Sequence, residues 1–154
     1  MYKKVMVPLD GSTLAECVFP HVEAIANGCP VRELILLRIV EPEGIYPISD
    51  LPIDPNLAAA RESEGKKKAE DYLGEIADRL DAPGLTITAR AIVGRVTESL
   101  VDYCVDDDVD LIIIATHGRS GVTRWVRGSV ADKILRSSKI PVMMIRAPGT
   151  EQGI

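Results

Sequence analysis

The stretch LIIIATHGRSGVTRWVRGSVADKILRSSKIPVMMIR, from Leu111 to Arg146, holds the pattern that decides the fold. Its apolar start is typical of a strand covered on both faces, and its end, PVMMIR, indicates another strand. Between them, Gly128-Ser129 opens a segment whose apolar residues have helical spacing. A strand, a helix and a second strand in this order predict a right-handed crossover between parallel strands.

The rest of the chain repeats this alternation. Apolar segments predict strands at 3–9, 33–40 and 85–93, and helical periodicity predicts helices that begin near Ser12 and that cover 57–80 and 97–106. Four prolines in 41–56 predict a long irregular loop. Five strands that alternate with four helices predict an α/β fold in one domain, a Rossmann-like open sandwich with a parallel sheet and helices on both faces.

Two details of the first helix are also predicted. Thr13 and Glu16 have the spacing of a capping box, in which each residue satisfies a backbone N–H group of the other. Pro20 falls inside the helical pattern and is expected to bend the helix.

Composition narrows the class of protein. With 154 residues, 46% of them hydrophobic and 27% charged, the chain has the size and mix of one globular domain. Its net charge of -5 argues against a general binder of nucleic acid or of anionic membranes. The polar N-terminus is unlike a signal peptide and no apolar run reaches about 18 residues, so a cytoplasmic location is expected. Three scattered cysteines and two histidines predict neither disulfides nor a metal cluster.

Positive charge is concentrated after the fourth strand. Residues 111–131 carry three arginines and no acidic residue, so this window has a charge of +3 and the remainder has -8, which sum to -5. A helix that begins at Gly128-Ser129 presents free N–H groups that suit phosphate oxygens, and Gly118 allows a ligand to approach the backbone. Ser129 and Asp132 also fit a plain helix cap, which is compatible with a phosphate site.

The glycine spacing excludes the familiar nucleotide motifs. Neither a Walker P-loop nor a dinucleotide-binding fingerprint occurs. A phosphoacceptor receiver domain shares the strand order along the chain, Thr116 and a lysine before a proline, but its third strand should end in an aspartate and this one ends AIVGRV. Asp10 follows the first strand, where α/β sheets bind ligands, although Asp-Gly is also a common surface turn. His117 has no accompanying acid or nucleophile, which favours a hydrogen bond within its loop over a catalytic role.

From Tyr2 to Arg146 the sequence resembles the universal stress protein family. ATP-binding members share the motif G-x2-G-x9-G-[ST] after the fourth strand, and three of its four positions match here, at Gly118 and Gly128-Ser129. The segments VPLDGS and GSVADKIL are similar to the family as well. Ala115 replaces the first glycine, and its methyl group is harmless in a strand conformation but obstructive if the site needs a positive φ.

The resemblance implies a sheet of order 3-2-1-4-5 and a universal stress protein domain over 1–147. The tail over 148–154 has no packing pattern and is expected to be disordered. The resemblance also implies that ATP, or ADP or AMP, binds with Mg²⁺, and that Asp10 accepts from a sugar hydroxyl or holds the metal. The implied nucleotide-binding residues are Pro8, Leu9, Asp10, Ile39, Ala115, His117, Gly118, Arg119, Gly128, Ser129 and Val130.

Three functional hypotheses follow. The leading one is an ATP-binding regulatory or stress-response protein with little or no turnover, at most slow ATP hydrolysis or autophosphorylation, because no motif contains a general base. The second is a nucleotide-free dimeric interaction module of the same fold. The third, least supported, is a phosphotransferase or hydrolase. No partner protein other than a second copy of the chain is indicated.

The last strand predicts that second copy. In the order implied by the resemblance it lies at a sheet edge, it is apolar on both faces, and unpaired backbone groups at such an edge invite another strand. Members of the family commonly dimerise there. We therefore expect a homodimer in which the edge strands pair about a two-fold axis through Val142, Met143, Met144 and Ile145. The alternative is that the tail folds over the edge and leaves a monomer.

Overall fold

A computed structural model describes residues 1–42, 54–80, 84–116 and 130–147, and strands and helices alternate along them. The strands are β1 Lys4–Pro8, β2 Glu33–Val40, β3 Thr86–Val93, β4 Leu111–Thr116 and β5 Val142–Arg146. The helices are α1 Phe19–Gly28, α2 Pro55–Arg79, α3 Val96–Asp106 and α4 Val130–Ser137. A short 3₁₀ helix, Ala15–Val18, precedes α1. The loop predicted at 41–56 and the tail predicted at 148–154 lie mostly or wholly outside the described residues.

The strands form one parallel sheet in the order β3-β2-β1-β4-β5, which confirms the predicted α/β fold and the implied strand order. Residues 34–37 of β2 are fully buried, because helices cover both sides of the sheet. One side, the α1/α2 face, packs Val5, Val7 and Leu36 against α1 and α2. The other side, the α3/α4 face, packs Met6 and Ile112 against α3 and α4.

The first helix departs from its prediction in two ways. Pro20 does not bend it, since α1 begins at Phe19 and proline in the first turn removes no helical hydrogen bond. The capping box is also wrong. Glu16 turns outward to α2, where its carboxylate accepts from the Arg79 guanidinium at 2.8 Å and from the Tyr72 hydroxyl at 3.3 Å.

The second helix begins two residues earlier than predicted. Asp54 caps it by accepting from the Asn56 N–H at 2.9 Å, and Pro55 occupies the first turn, where its fixed φ suits a helix start. Only Ala69, Leu73 and Ile76 of this 25-residue helix are buried.

None of the helices in the described ranges is long and apolar enough to cross a membrane.

Asp110 joins the amino ends of β1 and β4. Its Oδ2 atom accepts from the N–H groups of Lys3 at 2.8 Å and Lys4 at 2.9 Å. These two backbone donors lower the pKa of Asp110 below its usual 3.8, because they favour the ionised carboxylate. The interaction therefore stabilises the sheet most when Asp110 is charged.

Replacing Asp110 should reveal this contribution. We expect Asp110→Ala to lower the free energy of unfolding by about 1 kcal/mol near neutral pH, a value reduced for the exposure of the carboxylate. Because the folded-state pKa is depressed, the contribution is present above the unfolded-state pKa and is lost as the pH falls through the folded-state pKa. Urea unfolding of both proteins over a pH series measures it.

Asp110→Asn is the matched control, since the amide oxygen retains an acceptor without the charge. It should cost less than Asp110→Ala and show little change over the acid range. A cost for Asp110→Ala that does not shrink toward low pH would contradict this account of the carboxylate.

Candidate functional site

The site begins with the directions in which the chain leaves two neighbouring strands. After β1 it turns to the α1/α2 face, where Val18 and Val22 join the core. The helix that follows β4 packs Ala131 and Ile134 on the opposite, α3/α4 face. Because β1 and β4 are adjacent and the next described elements lie on opposite faces, the described chain leaves an opening at the carboxyl ends of these two strands.

Pro8 widens this opening. Alternate residues of β1 direct their backbone groups to opposite neighbours: the Lys4 carbonyl accepts from the N–H of Asp110 at 2.9 Å, whereas the Leu9 N–H donates to the Leu37 carbonyl at 2.9 Å. By this alternation the backbone of Pro8 faces β4. Because proline has no N–H group, Pro8 donates no hydrogen bond to that strand. Pairing of β1 with β2 continues to Pro8–Leu37, but pairing with β4 ends at Met6–Ile112. The two strands therefore separate at Pro8.

Asp10 lies at the rim of the opening in a tight turn. Its Oδ1 atom accepts from the Ser12 N–H at 2.8 Å and from the Ser12 hydroxyl at 2.6 Å, and the Ser12 oxygen accepts from the Ala15 N–H at 3.2 Å. Gly11 has a φ of +87°, which favours glycine. Among the described residues no donor is bonded to Oδ2 of this exposed carboxylate. Asp10 is thus a turn residue whose second carboxylate oxygen has no donor in the described part of the chain.

The other described candidates divide between the two faces. Ala115 pairs with Ile145 of β5 and packs on the core of the α1/α2 face. Leu9 is 4% exposed on that same face, so its side chain belongs to the core and only its backbone is available to a ligand. Ile39 and Val130 both pack on the α3/α4 face, on the other side of the opening from Leu9 and Ala115.

The phosphate half of the predicted site is not described. His117, Gly118, Arg119, Gly128 and Ser129 lie outside the described residues. Their roles therefore stay predictions, and the geometry above concerns the half formed by β1, β2, the end of β4 and the start of α4.

Arg38 is a site neighbour that the sequence reasoning missed. Its guanidinium carbon lies 5.4 Å from the centroid of the Tyr72 ring, and a Cβ atom built on Gly11 would fall 2.7 Å from Arg38 Nη1. The signal was an arginine near the end of the otherwise apolar strand ELILLRIV. A charged side chain in a largely buried strand needs a group that compensates its charge, so an arginine at this position indicates a specific contact.

The surroundings of Tyr72 connect Arg38 to the helices. Burial, and then the nearby Glu16 carboxylate, raise the pKa of Tyr72 to about 12, because both disfavour the phenolate. Tyr72 therefore stays a neutral donor to Glu16, which also holds Arg79. These contacts tie α2 to the 3₁₀ helix that follows the Asp10 turn.

The comparisons with known proteins agree with this architecture. The model of the universal stress protein family matches residues 1–146. Universal stress protein MJ0577 of Methanocaldococcus jannaschii is 28% identical over 156 residues, which cover 95% of this chain and 96% of the relative. Universal stress protein MJ0531 of the same organism is 24% identical over 151 residues, covering 98% and 86%.

Solved structures share the fold. That of MJ0577 has a TM-score of 0.78 at 24% identity and covers 100% of this chain and 99% of its own. A universal stress protein in complex with cAMP has a TM-score of 0.61 at 22% identity, covering 95% and 98%. A family protein from Arabidopsis thaliana with AMP bound has a TM-score of 0.63 at 16% identity, covering 98% and 95%.

The family model spans nearly the whole chain, and the sheet order is the one that the resemblance implied. This protein belongs to the universal stress protein family.

Proposed function

We propose that this protein binds an adenine nucleotide where β1 and β4 separate, and that it acts as a regulatory stress-response protein with little or no turnover. The observation that carries the proposal is the Oδ2 atom of Asp10, which accepts from no donor in residues 1–42, 54–80, 84–116 and 130–147 and lies at the rim of the opening that begins at Pro8. It is supported by proteins of the same fold whose structures contain AMP and cAMP.

The described residues suit the nucleoside. A carboxylate oxygen without a donor accepts readily from a ribose hydroxyl, as Asp10 would here, and in an ATP complex it is also suited to Mg²⁺. Ile39 and Val130 offer apolar surface for the base on the α3/α4 side of the opening. The backbones of Pro8 and Leu9 line its other side.

The phosphates fit the segment that follows β4. We assign them to the loop with Gly118 and Arg119 and to the helix start at Gly128-Ser129, with His117 orienting the loop. The absence of acidic residues over 111–131 supports this assignment, because it leaves the arginine charge uncompensated within the segment. ATP with Mg²⁺ is the nucleotide that best matches a three-arginine loop.

The proposal of little or no turnover rests on the sequence, in which no motif contains a general base. Ser12, the hydroxyl nearest to Asp10 in the chain, donates to Asp10 and accepts from the Ala15 N–H, so it is part of the turn.

We expect Ala115 to leave the proposed site open to a nucleotide. Among the described residues other than glycine, only Asp108 has a positive φ, so Ala115 keeps a backbone that any residue adopts. Its side chain packs on the α1/α2 core, whereas Ile39 and Val130 pack on the opposite face. We therefore expect the glycine of the motif to be dispensable at this position.

The nucleotide-free dimeric module remains a second candidate, and the observation that favours dimerisation is the edge position of β5. The Ile112 N–H donates to the Pro141 carbonyl, and the Ala147 N–H donates to the Thr116 carbonyl. The backbone groups of the odd-numbered residues in and beside β5 therefore face β4. Val142, Met144 and Arg146 then direct their backbone groups to the open edge, and Met144 is 39% exposed. We propose a homodimer through residues 142–145 together with nucleotide binding.

The first prediction concerns the ligand. AMP, ADP or ATP with Mg²⁺, at about one hundred times its dissociation constant, should raise the unfolding temperature by roughly 5–10 °C. Asp10→Asn keeps an oxygen for the turn but replaces Oδ2 with an amide donor, so it should weaken affinity about tenfold in calorimetry. Asp102→Asn, an exposed aspartate on α3, is the matched control and should change nothing. No thermal shift with any of the three nucleotides would overturn the proposal.

The second prediction concerns Ala115→Gly. Affinity should change by less than about threefold, while glycine in the strand should lower the free energy of unfolding by about 0.5–1 kcal/mol. Ala89→Gly on β3 controls for the general cost of a strand glycine. A tenfold gain in affinity would instead mean that the methyl group obstructs the nucleotide.

The third prediction concerns assembly. Met144→Pro removes an N–H at the open edge and should convert a dimer into a folded monomer, as measured by analytical ultracentrifugation with circular dichroism. Met144→Thr shortens the side chain but keeps the N–H and should preserve the dimer. A monomeric wild-type chain at micromolar concentration, or a dimer that survives Met144→Pro, would refute pairing through β5.

A further inference from the structure

We propose that Arg38 is a positioning residue: it holds the Asp10–Ser12 turn in the conformation that leaves Oδ2 of Asp10 free for a ligand. The inference rests on the proposed function and deepens it, because it identifies what sets the geometry of the proposed ribose-binding carboxylate. Arg38 acts through the turn and does not itself touch the ligand.

The contact with Gly11 is the first step. A Cβ atom built on Gly11 would lie 2.7 Å from Nη1, 2.9 Å from Cζ and 2.9 Å from Nη2 of Arg38. Nearly equal distances to these three atoms mean that the guanidinium presents its flat face to the side of Gly11 on which a side chain would begin. Gly11 has a φ of +87°, so the turn needs glycine both for its backbone conformation and for this close approach.

The guanidinium is itself held by α2. Tyr72 lies within cation–π distance of Arg38, at 5.4 Å from ring centroid to guanidinium carbon. The Tyr72 hydroxyl donates to Glu16, whose other oxygen accepts from Arg79. A continuous set of contacts thus runs from α2 through Arg38 to the backbone beside Asp10.

Arg38 is used for its shape as well as its charge. Among the described residues no carboxylate forms an ion pair with it, although Asp10 and Glu16 are both near enough to affect the pKa of Tyr72. The Oδ1 atom of Asp10 instead accepts from the N–H and hydroxyl groups of Ser12. A planar cation packed on a ring and a glycine has no equivalent in lysine, whose ammonium is compact and strongly hydrated.

Direct contact between Arg38 and the ligand is the competing assignment, and the faces of the sheet argue against it. Arg38 shares its side of β2 with Leu34 and Leu36, which pack on the α1/α2 face. Ile39 and Val130 pack on the opposite face. Arg38 therefore contacts the turn from the α1/α2 face, whereas the proposed nucleoside surface of Ile39 and Val130 lies on the α3/α4 face.

The first test needs no ligand. In ¹H–¹⁵N spectra, Arg38→Met and Arg38→Lys should both move the Ser12 amide resonance toward its position in Asp10→Ala, because the N–H bond to Oδ1 is lost or lengthened. Arg32→Met, which removes an exposed arginine at the amino end of β2, is the matched control and should leave Ser12 in place. An unchanged Ser12 resonance in folded Arg38→Met and Arg38→Lys would overturn the proposal.

The second test separates positioning from direct contact. By calorimetry with AMP, Arg38→Met should weaken affinity about fivefold in the wild-type background and by less than twofold in the Asp10→Ala background, a coupling of about 0.5 kcal/mol or more. Equal losses in both backgrounds would make Arg38 an independent ligand contact and contradict the assignment. If no adenine nucleotide binds the wild type while Ser12 still responds to Arg38, nucleotide binding fails but the control of the turn by Arg38 is supported.

Discussion

The structure depends on a backbone constraint at the centre of the sheet: β1 pairs with β2 along its whole length but loses its pairing with β4 at Pro8. A residue without an N–H group at a position that faces β4 ends that ladder, and the diverging connections to α1 and α4 keep the gap open. The amino ends of the same two strands are held together by Asp110. In the part of the chain that the structure describes, β1 and β4 are therefore joined at their amino ends and separated at their carboxyl ends.

Everything assigned to the site follows from this opening. The Asp10 turn forms its rim on the α1/α2 side, and Ile39 and Val130 border it on the α3/α4 side. The turn is not an isolated surface feature, because Arg38, Tyr72 and Glu16 connect it to α2. These contacts connect the position of the turn to the position of the long helix.

Much of the fold was predictable because its signals are local and repeated. Buried strands such as ELILLRIV are continuous apolar runs, and the helices between them have clear spacing, so the α/β class followed from the residues. The strand order is a long-range property and came from the family resemblance. Pro20 was misjudged because the helix begins at Phe19, after a 3₁₀ turn, a boundary that periodicity does not locate.

The site was predictable only in part. Asp10 was singled out because it follows the first strand and Ile39 because of the family resemblance, but the contacts of Arg38 with Gly11 and Tyr72 join residues that are 27 and 34 positions away in the chain. Glu16 was assigned to a local cap and instead bonds Tyr72 and Arg79 on α2. Such tertiary contacts have no signature in spacing, since they depend on how the helices pack on the sheet.

An adenine nucleotide in the opening between β1 and β4 can be located by titrating the ¹⁵N-labelled protein with AMP, because backbone amides report where a ligand binds. We expect the largest shift changes among the described residues at Gly11, Ser12, Val40, Thr116 and Val130, with little change at Lys4 and Asp110 at the amino ends of β1 and β4. Changes concentrated at these amino ends or along β5, or no changes at all, would contradict binding in this opening.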